Sequence, residues 1–203
     1  MGIKQLMTVF DRLLSSGLPI TWTTLRLAWN RLPDVPTPIP SRVTTEQLLT
    51  YAMNQIGSSS PEQEALIVEL AFADEQDTWT VGRCLEALSS DSPEDVQYAV
   101  RVWRWVLLSE IVAELEQQAQ DAPDQSAPIY GVWTDDFRTS VYCDLRGFWG
   151  QFEFPSVGFA VAENWAEGDW LRDIPSTLRL IGEHRRWLEQ EETVLQDHGR
   201  NEG

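Results

Sequence analysis

Residues 92–111, SPEDVQYAVRVWRWVLLSEI, carry the longest helical pattern in the chain. Serine followed by proline is a typical helix start, because the serine hydroxyl can accept a free backbone N–H and proline suits the first helical position. Apolar residues then recur at helical spacing; they are Val96, Ala99, Val100, Trp103, Leu107 and Ile111. The stretch therefore predicts a long helix with one apolar face.

Related start signals occur upstream of this helix. Thr44 and Gln47 have the spacing of a capping box, in which two side chains bond the free backbone groups of a first helical turn. Ser60 and Pro61 repeat the serine-proline start. The helix after Pro61 is predicted to run through Leu66, Leu70 and Phe72. A shorter helix follows, with the apolar residues Trp79, Cys84, Leu85 and Leu88.

Helical spacing also predicts helices near the two ends of the chain. Residues 3–15 form one helix, which Gly17 ends, and Thr21 caps the next one. Prolines make residues 31–43 a stiff connector without regular hydrogen bonds. A long closing helix begins at Pro175.

These patterns indicate a mainly all-α fold, either an irregular antiparallel helical bundle or a set of stacked helical hairpins. Within an aromatic-rich segment near 129–165, the stretch Phe154–Val161 fits both a short strand and a helical turn. We expect a single domain over residues 1–203. Within it, a polar, proline-marked loop at 117–128 would separate an N-terminal helical layer, 1–116, from a C-terminal subdomain, 129–197.

The chain is strongly acidic, with a formal net charge of −17 over 203 residues. Nucleic acid and anionic membrane surfaces are therefore disfavoured as partners, because their phosphates would be repelled, and a basic protein is the natural complement. The two cysteines, Cys84 and Cys143, are too few for a disulfide-stabilised secreted protein of this size. The N-terminal residues fit an amphipathic helix rather than a signal peptide. We therefore expect a cytoplasmic protein.

The sequence has none of the common hydrolase, phosphate-loop or dinucleotide-binding motifs. Its two histidines, His184 and His198, have no further histidine or cysteine at the spacing of a zinc site. We accordingly predict no enzymatic activity, no cofactor and no metal site. One alternative is a metal-dependent hydrolase, because hard cations bind carboxylates. Its candidate residues within 135–169 are Asp135, Asp136, Glu153, Glu163, Glu167 and Asp169.

Acidic residues are densest between Glu62 and Asp95, where ten of them accompany Arg83 as the one basic residue. Such acid can serve solubility alone, or it can steer a cationic protein toward its binding site. On the second interpretation, the partner-binding residues are Asp74, Glu75, Asp77, Trp79, Asp91, Glu94 and Asp95.

Several short motifs in the chain resemble those of a known family. They are Ile20-Thr21-Trp22, LIVELA at 66–71, FEFP at 152–155 and Trp187-Leu188. On these motifs the chain resembles the uncharacterised bacterial proteins of domain-of-unknown-function family 2247, from about Ile20 to Glu192. The resemblance implies a helical, cytoplasmic bacterial protein, similar in size and acidity to immunity proteins that neutralise toxins delivered between bacteria. It transfers no catalytic residue.

The charge, the lack of catalytic motifs and this resemblance favour a non-enzymatic, protein-binding protein of the immunity type. Its partner would be a basic toxin domain, blocked by complementary acid with exposed tryptophans as anchors. Two alternatives stay open, the metal-dependent hydrolase and a scaffold for an unrelated cytoplasmic complex.

Overall fold

A computed structural model describes residues 8–30, 36, 38–121, 141, 143–152 and 174–200 of the chain. Every regular element among these residues is an α-helix and none is a strand, which confirms the predicted all-α fold. The helices are α1 Val9–Ser15, α2 Trp22–Trp29, α3 Thr45–Gln55, α4 Pro61–Ala71, α5 Thr78–Leu88, α6 Pro93–Asp121 and α7 Ile174–Arg200. Residues 143–149 are also helical.

Side-chain caps begin α3 and α6 as the sequence predicts. The Thr44 hydroxyl accepts the Gln47 N–H at 3.2 Å, and the Gln47 side-chain oxygen accepts the Thr44 N–H at 2.9 Å. The Ser92 hydroxyl accepts the Asp95 N–H at 3.1 Å. At the start of α4, Ser60 holds the predicted cap position without a side-chain hydrogen bond. The capping box at α3 is thus confirmed in full, whereas the cap at α4 is confirmed in position only.

The first helix begins later than predicted. Thr8 is extended and forms a capping box with Asp11, in which its hydroxyl accepts the Asp11 N–H at 3.1 Å. Because a cap residue lies outside the helix that it caps, α1 begins at Val9. Residues 3–7 of the predicted helix lie outside the described part. Gly17 ends α1 with a φ of 71°, a conformation that glycine adopts without strain.

The chain divides into two units, of which the first comprises Met1–Trp103 and Leu195–Gly203. In this unit α3 packs against α4, α4 against α5, and α2 against α5. Because short loops join α3, α4 and α5, these helices form the predicted stacked hairpins. The predicted single domain over 1–203 stays a prediction. Fully buried large side chains of the first unit are Leu13, Leu25, Leu27, Ile39, Leu48, Ile67, Leu70, Leu85 and Trp103.

Long-range hydrogen bonds hold α2 in place within the first unit. The Trp103 indole N–H donates to the Thr24 carbonyl at 2.7 Å in a fully buried position. The Thr23 hydroxyl donates to the Ser90 carbonyl at 3.1 Å and accepts the Ser90 N–H at 3.0 Å. Buried polar groups without partners cost about 1–3 kcal/mol each. These bonds therefore fix α2 against α6 and against the junction between α5 and α6.

α6 differs from its prediction in length and in the extent of its burial. It continues to Asp121, so residues 117–121 are helical rather than part of the loop predicted at 117–128. Residues 122–128 lie outside the described part. Its middle is buried on more than one face, because apolar residues occupy nearly every position there. The buried residues beyond the predicted face are Tyr98, Val102, Val106, Leu108, Ser109, Val112 and Leu115.

The second unit comprises Arg104–Val194. The Trp105 indole N–H donates to the Leu188 carbonyl at 2.8 Å, which joins α6 to α7 within this unit. The Arg104 guanidinium lies over the Trp187 ring, 5.1 Å from its centroid. Guanidinium groups are attracted to the faces of indole rings, so this contact also stabilises the packing of the two helices.

Part of the aromatic-rich segment predicted near 129–165 belongs to this second unit and is described. Residues 143–149 are helical, whereas residues 129–140 and 153–165 lie outside the described part. The strand or helical turn predicted for Phe154–Val161 therefore stays a prediction.

His184, to which the sequence assigns no function, is fully buried in the second unit. Its Nδ1 lies 2.8 Å from the Leu180 carbonyl and donates to it, while its Nε2 accepts the Trp149 indole N–H at 3.1 Å. This pairing requires a neutral imidazole with its proton on Nδ1. Burial lowers the pKa of His184 to about 4, although the bond to Leu180 acts in the opposite direction.

We predict that the buried imidazole makes the fold sensitive to acid. In the unfolded chain His184 takes up a proton near the ordinary pKa of 6.5, so lowering the pH from 6.5 toward 4 favours unfolding. The free energy of unfolding, measured by urea denaturation, should fall by about 3 kcal/mol across this window. His184→Gln should lose most of this pH dependence, whereas His198→Gln, at an exposed position, should keep it. Equal pH dependence in wild type and His184→Gln would contradict the assignment.

Candidate protein-binding surface

Six consecutive residues, 74–79, are exposed; they cover the end of the turn between α4 and α5 and the first two residues of α5. Asp74 shapes the turn, because its Oδ1 accepts the Gln76 N–H at 2.8 Å and its carbonyl accepts the Asp77 N–H at 2.9 Å. The Glu75 carboxylate makes no hydrogen bond or ion pair with any residue that the structure describes. It is therefore available to a partner molecule.

Asp77 starts α5. Its Oδ1 accepts the Thr80 N–H at 3.1 Å and its Oδ2 accepts the Thr80 hydroxyl at 2.7 Å, which is the geometry of a helix N-cap. The hydrogen bond from the Thr80 side chain, followed by those from the backbone, lowers the pKa of Asp77, because these bonds stabilise the charged carboxylate. Asp77 is thus a structural cap as well as a surface charge.

Two large aromatic side chains flank this turn and stay in water. Phe72 follows the last residue of α4 and is 75 % exposed, and Trp79, the second residue of α5, is 73 % exposed. Among the described tryptophans Trp79 is the exposed one. The others are buried or half-buried; they are Trp22, Trp29, Trp103, Trp105, Trp149 and Trp187.

The indole N–H groups distinguish Trp79 from four of the other described tryptophans. The Trp29 indole donates to the Thr45 hydroxyl at 3.1 Å. The indoles of Trp103, Trp105 and Trp149 likewise have acceptors within their own units. The Trp79 indole donates to no residue in the described part of the chain. Its ring and its N–H can therefore both contact an incoming molecule.

Glu69 and Arg83 complete this surface. The carbon at the centre of the Arg83 guanidinium lies 5.6 Å from the centroid of the Trp79 ring, and its Nη2 donates to Glu69 Oε1. The hydrogen bond with Glu69 raises the pKa of Arg83, since the carboxylate stabilises the cation. We call the following set the hairpin surface: Glu69, Phe72, Asp74, Glu75, Asp77, Trp79 and Arg83.

The structure separates the predicted partner-binding residues into two groups. The hairpin surface contains Asp74, Glu75, Asp77 and Trp79. Beyond the opposite end of α5 lie Asp91, Glu94 and Asp95. Because α5 has 11 residues, its ends are about 16 Å apart. The predicted set is therefore two separate acidic groups rather than one surface.

The second acidic group has partners within the fold. Asp91 pairs with Arg26 at 2.7 Å. Asp95 accepts the Ser92 hydroxyl at 2.7 Å at the start of α6. Glu94 is exposed. Each acidic group thus has one carboxylate without a described contact, Glu75 or Glu94, but only the first group lies beside exposed aromatic side chains, Phe72 and Trp79. The hairpin surface is therefore the better candidate for binding.

The helix predicted to run through Phe72 ends one residue earlier, at Ala71, and Phe72 is 75 % exposed. The structure buries Ile67 together with Leu70 and Ala71, which lie three and four residues after it. Each helical residue turns the side chain by about 100°, so Phe72 lies beyond the edge of this stripe. The spacing from Ile67 was the signal that could have identified the exposed position.

Other chemistry proposed from the sequence has less support. Across the described ranges, no group of three or more histidine, cysteine, aspartate or glutamate side chains could hold a metal ion. The carboxylates of the hydrolase alternative, in 135–136 and 153–169, lie outside those ranges. Cys84 is fully buried, and this burial raises the pKa of its thiol. None of the described helices combines the length and apolarity needed to cross a membrane.

Comparison with known proteins confirms the resemblance found in the sequence motifs. A family model described as "Uncharacterized protein conserved in bacteria (DUF2247)" matches residues 10–192. No curated protein and no solved structure matches the chain. The family match spans the whole hairpin surface.

We predict that the carboxylates of this turn differ in their contribution to stability. Asp77→Ala should lower the free energy of unfolding more than any other change in this turn, because it removes the cap of α5. Asp77→Asn should be nearly neutral, since asparagine is an equally good cap, and Glu75→Ala should have little effect. Chemical denaturation followed by circular dichroism measures all three. An Asp77→Ala variant as stable as Glu75→Ala would show that the cap does not support the fold.

Proposed function

We propose that this chain, which belongs to the DUF2247 family of bacterial proteins, binds a cationic protein through the hairpin surface. The observation that carries the proposal is the position of Trp79, an exposed indole among carboxylates in a chain whose other described tryptophans are at least half-buried. An exposed aromatic group of this kind is typical of a binding anchor.

Electrostatics supports a basic partner. The net charge of the chain is −17, and ten acidic residues between Glu62 and Asp95 accompany one arginine. Acid at this density destabilises the fold by self-repulsion, and its benefit is faster association with a molecule of opposite charge. Glu75, which has no partner in the described part of the chain, lies at the centre of the exposed turn.

The distribution of apolar and charged groups resembles that of a protein interface. Interfaces commonly have an aromatic centre that excludes water and a polar rim that guides association. On the hairpin surface, Phe72 and Trp79 supply the aromatic contact and the carboxylates of the turn supply the rim. Phe72 and Trp79 would therefore govern dissociation, and the carboxylates would govern association.

The partner class that best fits these features is a basic toxin domain, which this chain would neutralise in the manner of an immunity protein. Such a function requires this chain to bind tightly and cover the functional surface of the toxin domain. It requires no catalytic residue in this chain. Binding would take place in the cytoplasm, where Cys84 and Cys143 stay as free thiols. A scaffold in an unrelated complex would use the same surface but would not protect a cell from a toxin.

The first experiment uses a basic C-terminal toxin domain, which is sought in the open reading frame immediately upstream of this gene. Expressed alone in bacteria it should stop growth, and expression of this chain should restore growth. Restored growth supports the immunity function over a scaffold. Binding without any effect on growth would contradict it.

The second experiment measures stopped-flow association with the same domain at several salt concentrations. Asp74→Asn combined with Glu75→Gln should slow association severalfold at low salt and flatten its salt dependence, because both changes remove steering charge. Asp77 is kept, so that the cap of α5 stays intact. The matched control is Glu46→Gln with Glu114→Gln, which removes two exposed charges elsewhere. Equal slowing in both variants would show that net charge, rather than the hairpin surface, guides association.

A further inference from the structure

We propose that the hairpin surface is an arginine-binding site, and that Arg83 occupies this site in the free protein until an arginine of the partner displaces it. The inference rests on the proposed function, since it specifies the chemistry of the cationic partner. It identifies the Trp79 ring and the Glu69 carboxylate as the groups that receive the incoming guanidinium.

The contacts of Arg83 show which ligand the surface accommodates. Its guanidinium lies 5.6 Å from the centre of the Trp79 ring and donates to a Glu69 carboxylate oxygen. An aromatic face and a carboxylate are the two groups that recognise guanidinium in proteins, through cation–π attraction and charge-assisted hydrogen bonds. The chain thus already binds one arginine side chain at this position.

The fold has little need of this arrangement. The Arg83 and Glu69 side chains are 39 % and 46 % exposed, and exposed ion pairs contribute little to stability. The buried face of α5 holds Val81, Cys84 and Leu85, which are turned away from Trp79 and Arg83. Packing of the helix therefore does not account for an indole that stays in water beside a carboxylate.

Displacement by a partner is favourable at this position. The Arg83 pair lies at the surface, so its guanidinium can move into water at small cost while a partner arginine takes its place. Between Glu62 and Asp95 no other basic residue competes for the site. Arginine suits it better than lysine, because the planar guanidinium can stack on the indole and bond the carboxylate in one orientation.

The test measures binding of the full chain to octa-arginine and octa-lysine peptides by titration calorimetry at low salt. We expect octa-arginine to bind about threefold more tightly than octa-lysine, the effect of one exposed cation–π contact. Trp79→Leu should abolish this preference, whereas Met53→Ala, a change at an exposed apolar residue outside the hairpin surface, should keep it.

Two arginine substitutions test the displacement itself. Arg83→Gln should increase the preference for octa-arginine by about threefold, because the incoming guanidinium no longer competes with an internal one. Arg186→Gln is the matched control, since it removes the same charge from another exposed arginine paired with a glutamate, Glu183. This control should leave the preference unchanged. Circular dichroism of each variant checks that the helices are retained.

The outcomes separate this inference from the proposed function. Equal binding of both peptides, or a preference that Arg83→Gln leaves unchanged, would overturn the arginine site and leave the acidic binding surface in place. If binding of both peptides were lost in Asp74→Asn with Glu75→Gln, the surface itself would be supported. Failure of both peptides to bind the wild-type chain would overturn the arginine site and count against the proposed function as well.

Discussion

Burial of one face of α5 determines the geometry of the candidate surface. Val81, Cys84, Leu85 and Leu88 follow helical spacing and are buried in the first unit. Because successive residues turn by about 100°, this burial directs Trp79 and Arg83, four residues apart, to the opposite side of the helix. The same constraint keeps the acidic turn before α5 in water. The exposed indole therefore follows from how α5 packs.

The turn before α5 combines structural and functional demands in very few residues. Asp74 and Asp77 use their carboxylates to fold the turn and to cap α5, yet both stay exposed and charged. Exposure of the aromatic residues has a cost, since burying a side chain such as Phe72 would contribute roughly 2 kcal/mol. A protein that keeps such groups in water forgoes this stability, and binding to a partner would recover it.

The helices were largely predictable because their signals are local. The capping box of Thr44 and Gln47 and the start at Ser92 depend on residues three positions apart, which the sequence displays directly. The candidate site was predictable only in part. Asp74, Glu75 and Asp77 were proposed from the density of acidic residues and Trp79 as an aromatic anchor. Asp91, Glu94 and Asp95 belong to a separate group because α5 lies between them.

The missed features depend on contacts between helices. The pairing of Glu69 with Arg83 joins α4 to α5 across 14 residues of sequence, so spacing gives no sign of it. The burial of His184 likewise depends on Trp149, which lies 35 residues away. The exposure of Phe72 likewise depends on where α4 ends, because one residue there decides whether a side chain joins the buried stripe. In each case the outcome depends on which residues pack together in the folded chain, and sequence spacing does not show this.

The central claim is that the hairpin surface is the binding site, and hydrogen–deuterium exchange tests it most directly. The full chain is compared alone and in complex with the basic toxin domain used in the growth experiment. Protection on binding should be concentrated between residues 66 and 83, at the end of α4, the acidic turn and the start of α5. Protection confined to other segments, such as α1 or α7, with exchange at the turn unchanged, would contradict the account.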